Sequence, residues 1–132
     1  MYTKQKVTHL PAVAKHTCVN QVFDGNKGHA YWELFVSETK GMYAYLFDSN
    51  GGHEDYTIDS NLRVGDTFTL KTVVSGGTIK IYYNGQLNQT IKGSTRTGLY
   101  FKAGDYCQSV TSEESHGDYC EVLVEELSVS HV

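Results

Sequence analysis

Apolar and polar residues alternate with a period of two along most of this chain, and the three-to-four spacing of a long amphipathic helix is absent. Residues 31–37 set Trp32, Leu34 and Val36 against Tyr31, Glu33 and Phe35. Residues 67–74 set Phe68, Leu70, Thr72 and Val74 against Thr67, Thr69, Lys71 and Val73. Further strands are predicted at 7–10 and 17–23, broken by Pro11, and at 42–47, where Asp48-Ser49-Asn50-Gly51-Gly52 turns the chain. Gly76-Gly77 and Asn84-Gly85 divide residues 67–91 into a three-strand meander, because both dipeptides supply the positive φ angles of two-residue hairpins. Two more strands are predicted at 99–108 and 119–129. In the last, Val122 and Val124 are out of phase with Leu127 and Val129, which predicts a β-bulge near Glu125-Glu126.

Successive strands with one polar and one apolar face predict an all-β fold, a jelly-roll sandwich of two antiparallel sheets. The chain has 132 residues and neither linker nor repeat, so residues 1–132 read as a single domain with its own core. Its 13 Gly and 10 Tyr against a single Pro suit short strands and tight turns. The net charge of −4, without a run of Lys or Arg, argues against nucleic acid, and no apolar stretch reaches membrane-spanning length. Because the overall field mildly repels a polyanion, any anionic ligand must be held by local donors.

Cys18, Cys107 and Cys120 lack metal-ligand spacing, and no metal or cofactor is expected. Cys107 and Cys120 flank a polar loop that contains Glu113-Glu114; they either close it as a disulfide or remain buried thiols. Asp48–Asp55 offers oxygen ligands without the spacing of an EF-hand, and turn chemistry favours a hairpin there. The sequon Asn88-Gln89-Thr90 suits a secreted protein, although residues 1–6 do not form the apolar core of a signal peptide.

The strongest chemical signal is Tyr100-Phe101-Lys102-Ala103-Gly104-Asp105-Tyr106-Cys107-Gln108. On a strand, Tyr100, Lys102, Gly104, Tyr106 and Gln108 share a face, with Phe101, Ala103 and Cys107 behind. Taken alone this is an ordinary solvated sheet face, and Asp105 falls oddly on the core side. The nine residues resemble the YFKAGxYxQ signature of alginate lyases of polysaccharide lyase family 7. His9-Leu10-Pro11-Ala12-Val13, His16, Cys18 and Gln21-Val22-Phe23-Asp24 resemble the stretch of fungal members that contains a Gln-x-His motif. Val73-Val74-Ser75-Gly76-Gly77, Tyr82-Tyr83-Asn84-Gly85 and Leu127-Ser128-Val129-Ser130-His131 extend the resemblance over nearly the whole chain.

The resemblance implies a secreted enzyme that cleaves a uronic-acid polymer by β-elimination, acting as a monomer with an acidic polysaccharide as its partner. It assigns Tyr106 as catalytic tyrosine and Gln21 as donor to the uronate carboxylate, with Lys102, Gln108, Tyr100 and Phe23 lining the groove. Strand alternation is expected to put Val19, Gln21 and Phe23 on one face. Two features depart from the family pattern. Phe23 occupies the position of the family's His, and the family's Arg-x-Glu-Leu-Arg strand is absent, Arg63 and Arg96 being the chain's two arginines. The chain is therefore expected to be the C-terminal part of a longer domain, lacking N-terminal strands, since single sandwiches commonly run to about 200–250 residues. Without a His, one tyrosine must serve as both base and acid from one face, which favours mannuronate or glucuronate, whose C5 proton and leaving oxygen share a face, over guluronate. The alternative is a non-catalytic acidic-glycan-binding module, or an inactive fragment, descended from such a lyase.

Overall fold

The computed structural model describes residues 1–92, 96–108 and 118–131, and within them the secondary structure is entirely β. The strands are β1 (Tyr2–His9), β2 (His16–Asp24), β3 (His29–Ser37), β4 (Gly41–Phe47), β5 (His53–Asp59), β6 (Thr67–Ser75), β7 (Thr78–Tyr83), β8 (Gln86–Ile91), β9 (Leu99–Cys107) and β10 (Glu121–Ser128). They form two five-stranded sheets, β10-β1-β6-β7-β8 and β5-β4-β3-β2-β9, with antiparallel neighbours throughout. The fold is the jelly-roll sandwich that the alternation predicts. The Glu113-Glu114 loop lies outside the described residues.

The apolar faces meet in one core. Val7, Phe68, Leu70, Ile79 and Ile81 of the first sheet pack against Val19, Val22, Trp32, Leu34, Val36, Met42 and Ala44 of the second. Each large side chain buried there contributes about 1.5–3 kcal/mol relative to exposure. Thr3, Gln5 and Asn20 are buried polar members of the same layer and hydrogen-bond to one another, while Asn20 Oδ1 has no partner among the described residues. Thr3 Oγ1 donates to Gln5 Oε1 (2.8 Å), Asn20 Nδ2 donates to Gln5 Oε1 (3.1 Å), and Gln5 Nε2 donates to the Val19 carbonyl (3.3 Å).

Two strands exceed the sequence expectation. β1 begins at Tyr2 rather than Val7 because its inward row is Thr3, Gln5, Val7, in which two of three residues are polar. β5 was not expected at all: it is an edge strand whose first residues, His53, Glu54 and Asp55, are exposed. The turn before it is closed by Asp48, whose Oδ1 accepts from Asn50 N (2.8 Å) and Gly52 N (3.0 Å). The bulge in the last strand falls at Glu125, since Lys4 pairs with Glu126 while Gln5 pairs with Val124.

The two long edges of the sandwich differ. At the β5/β8 edge the sheets are laced together by Asn88 Nδ2 donating to the Ile58 carbonyl (3.0 Å), with Tyr83 Oη donating to Asp59 Oδ2 (2.6 Å) nearby. At the other edge β9 and β10 are joined by a Cys107–Cys120 disulfide, leaving Cys18 as a buried free thiol. This resolves the cysteine alternatives in favour of one bridge and one thiol. β9 and β10 are terminal strands here, and Tyr100, Tyr106, Leu123, Val124 and Leu127 on them are exposed.

Candidate active site

The site is built where β2, inside its sheet, runs between β3 and β9. Opposite β3, Cys18 pairs with Phe35 and Asn20 with Leu34, so Val19 is an extra residue. Opposite β9, Cys18 pairs with Tyr106 and Asn20 with Ala103, so the extra residue is on β9. The double irregularity turns both Val19 and Asn20 toward the core and leaves Cys18, Gln21 and Phe23 on the other side. The expected sharing of one face by Val19, Gln21 and Phe23 is thus corrected: Val19 is a core residue, and Cys18 takes its place.

A cavity of about 350 Å³ opens on that face, within the usual range of ligand pockets. Its wall includes Cys18, Gln21 and Phe23 of β2, Glu33 of β3, and Lys102 and Tyr106 of β9. The register explains the grouping. Gln21 is flanked by Glu33 on one side and Lys102 on the other, Phe23 lies opposite Tyr100, and Cys18 lies opposite Tyr106. Gly104 also lines the cavity, and a Cβ there would meet nothing within 4 Å, so the space before the β9 backbone is open.

Lys102 Nζ stands 3.7 Å from the centroid of the Phe23 ring and 5.7 Å from that of Tyr100, while the two rings lie 5.4 Å apart. An aromatic corner therefore holds the ammonium beside Gln21. Tyr106 is 63% exposed, so its phenol is open to a ligand. Of the six residues singled out in the sequence, Gln21, Phe23, Lys102 and Tyr106 line the cavity, and Tyr100 flanks it through Phe23. Gln108 does not. It follows the end of β9, and its Nε2 donates to the Tyr106 carbonyl (2.8 Å), an anchor for the backbone rather than a groove contact.

Other features find their partners. Asp105 accepts a hydrogen bond from Thr17 Oγ1 (2.5 Å), which answers its odd place on the strand. Arg96 lies over the Tyr31 ring (4.2 Å), donates to the Phe47 carbonyl (3.2 Å) and reaches Asp24 (3.4 Å). Arg63 donates to the Ser60 and Leu62 carbonyls. Neither arginine lines the cavity.

Sequence reasoning missed Cys18 and Glu33. Burial pushes the Cys18 thiol well above its ordinary pKa, with the Glu33 charge adding to the effect, so Cys18 is a neutral wall residue. Burial also raises the pKa of Glu33, while hydrogen bonding from Cys18 and Gln21 partly offsets it. The available signal was a Glu flanked by Tyr31 and Phe35 on a strand whose alternate row is Trp32, Leu34 and Val36. Beyond Glu33, Phe35 stacks on Tyr43 (5.1 Å) and Tyr45 stacks on His53 (4.0 Å), extending an aromatic surface toward β5. Among the described residues, no three His, Cys, Asp or Glu side chains converge as a metal set.

Fold and cavity together define a two-sheet jelly roll with a polar, aromatic-walled site on one sheet. The chain belongs to the alginate lyase family: residues 1–131 match its alginate lyase 2 domain. The alginate lyase AlgAT5 of polysaccharide lyase family 7 is 37% identical, with a TM-score of 0.74 over 93% of this chain and 54% of that one. The alginate lyase of Corynebacterium sp. is 33% identical, with a TM-score of 0.82 over 99% of this chain and 57% of that one. The marine family 7 alginate lyase AlyA1 of Zobellia galactanivorans, at 23% identity and a TM-score of 0.77, shares the fold over 99% of this chain and 60% of its own. The chain thus spans little more than half the length of these structures. A search of curated proteins found no significant match.

Proposed function

We propose that this chain is a secreted polysaccharide lyase domain that cleaves an alginate-type uronate polymer by β-elimination, with mannuronate as the preferred residue. One observation carries the reading: Gln21, Lys102 and Tyr106, from two paired strands, meet in a single cavity. The similar structures described as alginate lyases give the substrate class. The disulfide suits an oxidising compartment.

The barrier to the reaction is the weak acidity of the proton on C5 of the uronate. Gln21 and Lys102 bind the carboxylate and stabilise the charge that moves onto it as that proton leaves. Tyr106 enters the step as the phenolate, and its oxygen takes the C5 proton to become a neutral phenol. It returns a proton to the C4 oxygen as the C4–O bond breaks, leaving a C4–C5 double bond and a free hydroxyl on the departing sugar. In mannuronate the C5 proton and the leaving oxygen share a face, so one tyrosine reaches both. In guluronate they lie on opposite faces, and Phe23 has no basic atom to take the C5 proton from the far side. Proton transfer from a positioned group is worth about 10²–10⁴-fold in rate.

Incubating the purified chain separately with polymannuronate, polyguluronate and glucuronan, and following ultraviolet absorbance of the new double bond, tests the reading. The expected result is absorbance with polymannuronate that disappears in Tyr106→Phe. A folded chain that binds uronates without producing the chromophore overturns the enzymatic reading in favour of a binding module.

A further inference from the structure

Among the described residues, two acidic ones line the cavity: Asp105 on β9, engaged by Thr17, and Glu33 on β3, which lies directly across from Gln21. An ionised carboxylate there opposes the group that Gln21 and Lys102 are placed to hold. Its surroundings act on that charge in both directions. On the β2 side the Cys18 thiol and the Gln21 amide hydrogen-bond to it and favour the carboxylate in part, and on the β4 side Tyr45 is its direct neighbour, with Tyr43 beyond. The cationic side chain of the cavity wall is Lys102, one strand further on, where the Phe23 ring holds the ammonium. On β5, Asp55 faces Tyr45 and is engaged with His53 at 2.6 Å, so it adds negative charge on that side. Desolvation is the largest influence on Glu33 and outweighs the hydrogen bonds from Cys18 and Gln21, so its pKa is raised.

Resting on the uronate-lyase reading above, we propose that Glu33 is a specificity-determining residue that binds the substrate as a neutral carboxylic acid, donating its proton as a hydrogen bond to the uronate carboxylate beside Gln21. A neutral acid is a donor, and its bond to a carboxylate is charge-assisted; the ionised form has no hydrogen to give and repels the sugar. No covalent bond changes in this step. Substrate uptake is then linked to one proton. A bound uronate raises the pKa of Glu33 further, and by reciprocity affinity falls as pH rises past the midpoint, by up to tenfold per unit. Glu33 also favours anionic sugars over neutral ones only while it is protonated.

The test is a carbon-13 NMR titration of the Glu33 side-chain carboxyl in the 132-residue chain, without and with saturating mannuronate trisaccharide. Trisaccharide Kd is measured in parallel across the same pH range for wild type, Glu33→Gln and Glu33→Ala. The expected result is a midpoint that moves up on binding, a wild-type Kd that weakens with pH, and a flat Kd for Glu33→Gln, whose amide donates at every pH. Glu33→Ala binds weakly throughout. The flat profile of Glu33→Gln separates Glu33 from the histidines. A midpoint that stays or falls, or a pH-independent wild-type Kd, overturns the proposal and leaves the uronate site standing. Absence of binding at any pH overturns both.

Discussion

Lys102 Nζ lies 3.7 Å from the centroid of the Phe23 ring, a cation–π contact between neighbouring strands at the position to which the sequence resemblance assigns a histidine. The substitution thus exchanges a proton-transfer group for a platform that fixes an ammonium beside Gln21. Such a contact is worth about 0.5–2 kcal/mol depending on desolvation. Phe23→Leu is expected to raise KM for polymannuronate about threefold to tenfold with a smaller change in kcat, because the ring positions a binding group and touches no reacting atom. Initial rates across substrate concentration check this. Equal loss in kcat and kcat/KM would instead give Phe23 a role in the transition state.

Phe23→His puts a titratable group on the far side of the sugar from Tyr106. Product from polyguluronate is expected to appear, or to rise at least tenfold relative to polymannuronate, and to need the neutral imidazole. The guluronate rate should therefore climb as pH rises through about 6.5, the ordinary histidine range. Double-bond absorbance with block-pure substrates at several pH values measures it. An unchanged substrate ratio would show that the face preference is set elsewhere in the cavity.

How much of this site was legible in the sequence depended on whether each local irregularity left a mark there. The Glu125 bulge is visible because the apolar phase slips from Val124 to Leu127 around it. The irregularity at Val19 leaves no such mark: Cys18, Val19 and Asn20 are all buried, and the two inward ones are stabilised by Gln5 from the other sheet. A contact between distant strands has no local sequence signature. Thr3 and Gln5 hid the start of β1 for the same reason, being polar residues made acceptable in a core by partners some fifteen positions away. The β6–β7–β8 meander was fully readable because its turns are set by glycine and asparagine at positive φ, a purely local demand. Glu33 was passed over because a charged residue on a strand's polar row ordinarily faces water.

Gln5 is the hub of that polar layer. Gln5→Ala removes the acceptor used by Thr3 and Asn20 and the donor used by the Val19 carbonyl, leaving buried groups unpaired. Each orphan costs about 1–3 kcal/mol, and a loss of about 3 kcal/mol in unfolding free energy is expected. Urea denaturation followed by tryptophan fluorescence reads it, since Trp32 is buried in the same core. Because Gln5 also supports the backbone at Val19, the variant should bind uronate less tightly even where it remains folded. Unchanged binding in a destabilised variant would separate the layer from the site.

Cys18 should be inert in the native state. Its thiol is buried and its pKa is raised, so the thiolate needed for alkylation or disulfide exchange is scarce at any pH near neutrality. Reaction with a chromogenic disulfide reagent is expected to be slower than that of an unfolded control by at least 10²-fold, and to approach it in denaturant. The slow rate should persist to alkaline pH, since the direction of the shift delays ionisation. Rapid labelling of the folded chain would mean that the cavity opens to admit the reagent.

The Cys107–Cys120 bridge closes a loop with a sequence separation of 13 at the edge where β9 and β10 end their sheets, next to Tyr106. Closing a loop of about 15 residues stabilises a fold by about 3 kcal/mol through the entropy of the unfolded chain. For a domain of this size that corresponds to a fall in Tm of about 10 °C on reduction. The Cys107→Ser, Cys120→Ser double variant should melt at the lower temperature with or without reductant, whereas the wild type should move between the two values. Since Cys107 follows Tyr106 directly, release of the bridge also frees the end of the strand that carries the phenol. The rate of double-bond formation should therefore fall in the double variant well below its Tm. A rate that stays at the wild-type level would show that β9 is held by its pairing with β2 alone.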